Sequence, residues 1–294
     1  MGLLQSGDHV ICSHSMFGST IKLIGSDLAK FGVESTFVSQ TDSRAWAAAV
    51  RPQTRLLFAE TPTNPLTDVC DIRALADIAH NAGALLCVDN CFATPALQRP
   101  IALGADIVMH SGTKYLDGQG RVMAGALCAS QELVTKTFLP VLKSGGMTLA
   151  PFNAWVVLKG LETLDIRMQA QSARALQLAQ WLQDHPAVAR VHYPGLTSHP
   201  QHALAKRQTP HGFSGMISIQ IKGDEENARR VASKLKLFQQ ATSLGGVESL
   251  VEHRRSIEGP TSATPENLLR LSIGLEHVDD LWEDLNSSLM SNIL

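Results

Sequence analysis

The sequence predicts an α/β fold with a mainly parallel sheet in its first part and a smaller α+β part after it. Three observations lead to this prediction. Short apolar runs recur in the first half of the chain, helical patterns separate several of them, and later runs are apolar on one face. A chain of 294 residues has room for one or two domains. We therefore expect one domain at residues 1–164 and a second, smaller one at residues 165–294.

Six apolar runs in the first half are predicted strands, and most are apolar on both faces, as in a sheet covered on both sides. In order they are His9–Cys12, Ser35–Ser39, Thr54–Ala59, Ala84–Val88, Ala105–Met109 and Ala124–Cys128. The clearest helix between them runs from Asp71 to Ala82. Asp71 is a suitable N-cap, isoleucine and leucine recur at helical spacing, and Gly83 is a suitable stop. Strands that alternate with helices favour parallel pairing.

The second half has a different pattern. A long helical region is expected from about Pro151 to His185. Met216–Lys222 and Leu269–Ile273 alternate as half-buried strands do. Asn227–Leu235 and the last segment, Val278–Leu289, have helical periodicity. Strands with one apolar face, mixed with helices, predict the smaller α+β part.

Composition excludes several classes of function. The chain is 44% hydrophobic and 18% charged, which is typical of a soluble globular protein. A net charge of -2 without basic or acidic blocks argues against nucleic acid or an anionic membrane as partner. No apolar run approaches the roughly 20 residues of a membrane-spanning helix, and no signal peptide is expected at the start.

The five cysteines do not form a disulfide framework or a zinc pattern. We therefore expect a cytoplasmic protein without a metal site. Cys87, Cys91 and Cys128 are expected in the core, because they lie in or beside apolar runs.

Two predicted strands end in residues capable of chemistry, Asp89 after one and Ser111-Gly-Thr-Lys114 after the next. Ligands of α/β sheets bind at the carboxyl ends of strands. A lysine in a partly dry cleft loses pKa and becomes a nucleophile towards carbonyl groups, and hydroxyls with loop N–H groups suit a phosphate. A carboxylate opposite could hold a proton on a heteroaromatic nitrogen. Pyridoxal phosphate (PLP) needs all three groups together.

Simpler interpretations of these residues stay open. A lysine after a strand is more often a solvated loop residue, and an aspartate there is more often a cap or turn residue. A glycine-rich phosphate loop is the competing type of site, but no G-x-G-x-x-G or Walker pattern follows any predicted strand.

Five motifs spread over nearly the whole chain resemble the Cys/Met metabolism family of PLP-dependent enzymes, also called the transsulfuration or cystathionine γ-synthase-like family. They are Glu60–Pro65, Val88–Phe92, His110–Tyr115, Ser243–Leu250 and Leu269–Glu276. The resemblance implies the fold type I of PLP-dependent transferases, with residues 1–164 as the PLP-binding domain. It also implies PLP as cofactor, an amino-acid substrate and a homo-oligomer, either a dimer or a homotetramer.

The resemblance assigns the cofactor to matching residues. Lys114 would bind the PLP aldehyde covalently and act as the catalytic base. Asp89 would pair with the ring nitrogen, and Ser111 and Thr113 would hold the phosphate.

Four further residues match the family pattern around the ring and the substrate. Asn64 would bond to the ring hydroxyl, and Phe17 stands where the family stacks an aromatic side chain, often tyrosine, on the ring. Arg270, helped by Ser243, would bind the α-carboxylate of the substrate. The alternation of Leu269–Ile273 agrees with this, because Arg270 faces away from the apolar stripe.

The subfamily signals are mixed. Asp117–Arg121, Thr148–Trp155 and Gly160–Leu164 resemble O-succinylhomoserine sulfhydrylases and the related O-acetyl enzymes, whereas Glu252–Gly259 resembles some cystathionine-type members. The resemblance implies a transferase in methionine biosynthesis. It would replace the acyl group of an O-acylhomoserine, preferably O-succinylhomoserine, with sulfide to give homocysteine. The alternative is cystathionine γ-synthase or γ-lyase activity.

Members of the family also carry a further segment before the position of Gly7. It holds a Tyr-x-Arg motif, which reaches the phosphate of a neighbouring subunit, and a Ser-Gly-Met turn beneath the phosphate. The residues before Gly7 supply neither, and the two tyrosines, Tyr115 and Tyr193, form no such motif. A third hypothesis is therefore a catalytically impaired truncated product or a silent partner subunit. Outside the motifs, Arg254 and Arg255 are expected in a solvated loop, from which they could touch a substrate acyl group.

Overall fold

The computed structural model describes residues 2–259 and 262–292, and its first part is built on a six-stranded sheet. The strands are β1 His9–Ser13, β2 Glu34–Val38, β3 Thr54–Glu60, β4 Leu85–Asp89, β5 Ile107–Ser111 and β6 Gly125–Ala129. Their spatial order is β2-β1-β3-β4-β5-β6. Pairing is parallel from β2 through to β5, and β6 joins β5 antiparallel. The six predicted strands and the mainly parallel sheet are therefore confirmed.

Helices and single helical turns connect these strands or follow the last of them. The helices are α1 Gly18–Lys22, α2 Ser43–Ala48, α3 Ile72–Asn81, α4 Thr94–Leu97, α5 Gln131–Leu133 and α6 Leu139–Gly145. The 3₁₀ or π turns are Leu23–Asp27, Leu28–Phe31, Pro100–Leu103, Gly112–Leu116 and Val134–Phe138. Helix α3 confirms the sequence prediction in detail. The Asp71 carboxylate accepts a hydrogen bond from Ala74 N, and Gly83 adopts a left-handed φ of 67° just after the helix.

The central strands bury both of their faces. One face packs with α2 and α3 through residues such as Ile11, Leu57 and Leu86, and the other through Val10 and Phe58. Alternate residues of one strand thus enter two different cores, as expected for a covered parallel sheet.

The edge strand β6 departs from this pattern. Residues 125–128 are exposed, so the expectation that Cys128 belongs to the core was wrong. The strand has a neighbour on one side, and no described element covers it fully. Cys87 is buried as expected, whereas Cys91 follows β4 and is partly exposed.

A second sheet of five strands occupies the rest of the chain, in the order β7-β8-β11-β10-β9. Its strands are β7 Val188–His192, β8 Met216–Ile221, β9 Gln239–Gln240, β10 Leu250–His253 and β11 Leu268–Ser272. The remaining helices are α7 Pro151–Leu161, α8 Leu164–Gln183, α9 His202–Gln208, α10 Glu225–Lys234, α11 Arg254–Glu258 and α12 Val278–Met290. The predicted strands correspond to β8 and β11. The other three are short or carry charges within the strand, which hides them in the sequence.

The long helical region predicted from Pro151 to His185 is two helices. The chain turns at Glu162 and Thr163, between α7 and α8. The Gly160 carbonyl accepts hydrogen bonds from Thr163 N and from the buried Arg167 guanidinium. These donors replace the helical partner that the carbonyl would have in one continuous helix.

A core cluster joins the second sheet to α8, α10 and α12, with Leu178, Ile219 and Leu285 among its members. A smaller cluster that includes Tyr115 and Met216 links the two sheets. We propose that the division between residues 1–164 and 165–294 falls at the start of α8, because that helix packs on the second sheet. No helix within the described ranges combines the length and the apolar character needed to cross a membrane.

Candidate active site

The carboxyl ends of β4 and β5 open into one cavity of about 910 Å³. Asp89 is the last residue of β4 and Ser111 the last of β5, and these strands are neighbours in the sheet. Lys114 lies three residues beyond Ser111, in the helical turn that follows β5, where its own φ and ψ of -95° and -129° are not helical. The turn brings Lys114 to the wall of the cavity that Asp89 also lines.

Lys114 is partly buried, and its Nζ lies 3.4 Å from Ser243 Oγ. Burial lowers the pKa of this amine, and the charge of the nearby Arg270 lowers it further. The side chain therefore carries more free amine near neutral pH than an exposed lysine does. A free amine acts as a nucleophile towards an aldehyde and as a base.

Asp89 is buried at the end of β4, and its Oδ1 accepts a hydrogen bond from Cys91 N at 2.9 Å. Burial raises the pKa of this carboxyl group above its usual range. Within the described part of the chain no lysine, arginine or histidine forms an ion pair with it. A buried carboxylate without a cation is a suitable partner for a protonated ring nitrogen.

Glu60 is a second buried carboxylate in the same cavity, and the sequence analysis assigned it no role. Its Oε2 accepts a hydrogen bond from Phe17 N and its Oε1 one from Asn64 N, both at 2.8 Å. The side chain thus fastens together two segments that carry predicted cofactor residues. Burial and the charge of Asp89 raise the pKa of Glu60. The sequence did contain a signal for a role of Glu60, because this residue is a charged group at the end of the apolar strand β3, next to the predicted site.

The two predicted phosphate residues differ in their surroundings. Ser111 lines the cavity, and its backbone N–H donates to Cys91 Sγ at 3.3 Å. The Thr113 hydroxyl is engaged with the backbone of Ala124, accepting from its N–H and donating to its carbonyl. A phosphate would have to compete with Ala124 for the hydroxyl proton of Thr113.

Arg270 reaches the cavity from β11 and is 2% exposed. Its guanidinium donates to Asn64 Oδ1 at 3.1 Å and to the carbonyls of Thr242 and Ser243. It also forms an ion pair of 2.6 Å with Glu252. Arg270 Nε is buried and has no partner among the described residues. The arginine is therefore held in place with one donor still free.

The structure brings the predicted residues to one place. Six of them line the cavity: Phe17, Asn64, Asp89, Ser111, Lys114 and Arg270. Ser243 joins through its hydroxyl next to Lys114, and Thr113 lies one residue before Lys114 in the turn. The arrangement fits PLP, since an amine of lowered pKa and a carboxylate without a cation face the same space.

Two charged residues near the site were missed or misplaced by the sequence analysis. Glu252 was missed because β10 is four residues long and was not predicted. Arg254 was expected in a solvated loop, and this was wrong. It begins helix α11, is 5% exposed, and forms ion pairs with Glu252 and Glu258.

Residues 1–290 match the model of the Cys/Met metabolism PLP-dependent enzyme family. The chain belongs to this family. The predicted family and the α/β fold are thereby confirmed, and the family is PLP-dependent.

Members of the Cys/Met metabolism family from several bacteria are close relatives. An O-succinylhomoserine sulfhydrylase from Pseudomonas aeruginosa is 48% identical, and the match covers 98% of this chain and 73% of that protein. A cystathionine gamma-synthase from Mycobacterium tuberculosis is 42% identical, over 98% of this chain and 75% of that one. The crystal structure of metB from Corynebacterium glutamicum superposes with a TM-score of 0.95 at 37% identity, covering 98% of this chain and 76% of that one.

Proposed function

We propose that this chain binds PLP in the cavity described above and uses it for γ-replacement on an O-acylhomoserine. Lys114 would hold the cofactor aldehyde, Asp89 the ring nitrogen, and Ser111 with Thr113 the phosphate. Asn64 would bond to the ring hydroxyl, and Phe17 would stack on the ring. The observation that carries this proposal is that the Lys114 amine and the Asp89 carboxylate, which has no cation partner among the described residues, share one cavity with Arg270.

When bound, PLP supplies an electron sink for negative charge at the α-carbon of an amino acid. Lys114 would take the α-proton of the substrate, because burial and the charge of Arg270 lower its pKa and so favour the free amine. The same amine would then move a proton at the β-carbon, which allows the γ-acyloxy group to leave. Ser243 Oγ, at 3.4 Å from Nζ, would help to orient the amine.

Arg270 would bind the α-carboxylate of the substrate. Its position is set from both sheets, because Asn64 follows β3 and the carbonyls of Thr242 and Ser243 precede β10. A guanidinium fixed by several acceptors loses little entropy when it binds a carboxylate. The free Nε offers a further donor.

We propose O-succinylhomoserine and sulfide as the substrates and homocysteine as the product. The sulfhydrylase from Pseudomonas aeruginosa supports this choice, because it is the more similar of the two relatives described above. The second candidate is cystathionine γ-synthase activity, which the relative from Mycobacterium tuberculosis favours.

The two candidates differ in the sulfur compound consumed. Purified protein with PLP is given O-succinylhomoserine together with either sulfide or cysteine, and the products are separated by mass. Homocysteine with sulfide, and little cystathionine with cysteine, is the expected result. The reverse preference would assign the second candidate. Release of α-ketobutyrate from cystathionine alone would indicate a γ-lyase.

The hypothesis of a silent or impaired chain is tested by spectroscopy before any assay. PLP added to the protein should acquire the long-wavelength absorbance of its lysine-bound form. An unchanged PLP spectrum would favour the silent chain and reject the proposed function.

We also propose that the protein forms a homo-oligomer. Apolar side chains such as Phe152, Trp155 and Leu158 are exposed along α7, and Met147 is exposed just before it. Contiguous exposed apolar residues are typical of association surfaces. Light scattering during size-exclusion chromatography should give a mass at least twice that of the chain, and a monomer over the micromolar range would reject this proposal.

A further inference from the structure

Four charged side chains form a connected chain from the protein surface to the cavity. Arg270 pairs with Glu252 at 2.6 Å, and Glu252 pairs with Arg254 at 3.2 Å. Arg254 in turn pairs with Glu258 at 2.7 Å. The side chains of Arg270, Glu252 and Arg254 are 2%, 3% and 6% exposed, whereas that of Glu258 is 23% exposed. The charges alternate in sign along this ion chain.

The local fold explains why the ion chain exists. Glu252 and Arg270 face each other across the antiparallel pair β10–β11. Arg254 follows two residues after Glu252, at the start of α11, and so returns to the same carboxylate. One turn of α11 places Glu258 beside Arg254, as an i,i+4 pair. The Ser262 and Thr264 hydroxyls donate to the other oxygen of Glu258.

Glu252 alone would neutralise Arg270. An ion pair between two fully buried groups is strong, and it would leave little positive potential for a second carboxylate. Arg254 changes this balance because its Nη1 contacts both oxygens of Glu252. The four side chains together carry no net charge, because Glu258 balances Arg254 from the exposed end, but Glu252 is shared between two guanidinium groups. Arg270, the member at the cavity, is therefore only partly compensated by Glu252.

The protonation of Arg270 responds to the same charges. Burial is the main cause that lowers the pKa of Arg270 to about 10. The carboxylate of Glu252 acts in the opposite direction, the charge of Arg254 adds to the lowering, and the more distant Glu258 has a smaller raising effect. Arg254 is thus close enough to raise the positive potential at Arg270.

We propose that Arg254 is a positioning residue that binds Glu252 and thereby keeps Arg270 electropositive for the α-carboxylate of the substrate. This inference rests on the proposed function, in which Arg270 binds that carboxylate. It assigns a role to residues of the Glu252–Gly259 segment, to which the family resemblance gave no role in binding. Arg254 acts through Glu252 and contacts the substrate in no step.

The test measures recognition of the carboxylate separately from the rest of the substrate. L-norleucine is a straight-chain amino acid without a γ-leaving group, and L-norleucinamide has a neutral amide in place of the carboxylate. Each is titrated into the PLP-loaded protein and followed by the absorbance of the bound cofactor. The ratio of the two affinities reports the strength of the carboxylate interaction. A change in folding stability would affect both ligands alike and would leave this ratio unchanged.

Arg254→Met should lower the affinity for norleucine roughly five- to tenfold, because Glu252 then compensates Arg270 alone. The affinities for norleucinamide and for PLP should stay within about twofold of the wild type. Adding Glu252→Gln to this variant removes the compensating charge, so the double variant should bind norleucine at least as well as the wild type. Arg230→Met, which removes one charge from a surface pair with Glu226, is the matched control and should change neither affinity.

Three results would overturn the inference. Norleucine affinity could be unchanged in Arg254→Met, norleucine and norleucinamide could weaken equally, or the double variant could bind no better than the single one. If Arg254→Met does not fold, the single variant Glu252→Gln tests the inference instead. It should raise the ratio of the norleucine affinity to the norleucinamide affinity. An unchanged ratio would reject the inference.

A further variant in the same experiment tests the proposed function separately from the role of Arg254. Arg270→Met should remove the preference for norleucine over its amide. A preference that survives in Arg270→Met would reject the carboxylate role of Arg270 itself, whatever Arg254→Met shows. A wild-type protein that gives no lysine-bound PLP spectrum would reject the proposed function and this inference together.

Discussion

Glu60 and Asp89 face each other on the neighbouring strands β3 and β4, and both carboxylates line the cavity. Burial raises the pKa of each group, and the charge of Asp89 raises that of Glu60 further. Two buried carboxylates side by side favour a cationic group between or beside them. A protonated ring nitrogen at Asp89 would satisfy this requirement.

Glu60→Gln should destabilise the protein by about 1–3 kcal/mol, because an amide leaves one of the two backbone N–H groups facing another donor. The affected donors are those of Phe17 and Asn64. Urea unfolding measures the loss, and PLP titration should show weaker binding as well. Glu34→Gln, at a surface pair with Arg51, is the control and should cost little. Equal stability of the two variants would contradict the fastening role of Glu60.

The stability of the protein without cofactor should depend on pH through this pair. Folding raises the pKa of both carboxyl groups, so the folded state binds more protons than the unfolded state. The stability that they contribute is present below about pH 4, their usual range, and is lost as pH rises through the raised values. Asp89→Asn should flatten this dependence. The free energy of unfolding, measured from acidic to neutral pH, tests this, and parallel curves for wild type and variant would refute it.

Lys114→Ala should abolish the lysine-bound PLP spectrum and lower turnover by at least about 10²–10⁴-fold, since it removes both nucleophile and base. Lys136→Ala changes a lysine in an exposed pair with Glu132 and should leave both properties intact. Absorbance and steady-state rates provide the measurements. Turnover that persists in Lys114→Ala would eliminate Lys114 as the base.

Gly160→Ala should distort the turn that carries Lys114. A Cβ at Gly160 would lie 2.2 Å from Leu116 O and 2.5 Å from Asp117 O, and these backbone atoms cannot move aside cheaply. We expect a loss of about 1–3 kcal/mol in unfolding free energy and weaker PLP binding. Gly18→Ala is the control, because no atom lies within 4 Å of the added Cβ. If Gly160→Ala is as stable as the wild type, α7 can shift to accommodate the added Cβ, and the prediction is wrong.

Local patterns were sufficient for much of the fold. The strands of the first sheet are short apolar runs, and α3 begins and ends at the residues that its capping signals predict. Such features depend on neighbours in the sequence, so they can be predicted without the rest of the chain. The break between α7 and α8 could not, because Arg167 joins Thr163 N at the Gly160 carbonyl only once the arginine is buried.

Exposure was harder to predict than secondary structure. Cys128 lies in an apolar strand like that of Cys87, yet it is exposed because β6 is at the sheet edge. Arg254 belongs to a polar segment, yet it is buried because Glu252 and Glu258 compensate its charge. Position within a sheet and the presence of a counter-charge are properties of the assembled chain.

By itself the sequence determined the strands of the first sheet, the family, and the set of residues predicted for PLP. These follow from periodicity and from motifs of fixed spacing. The tertiary structure decided which side chains meet: Glu60 with Asp89, Lys114 with Ser243, and Arg270 with Asn64 and Glu252. Such meetings, and the pKa shifts that accompany them, arise because burial and long-range contacts form only when both sheets pack together.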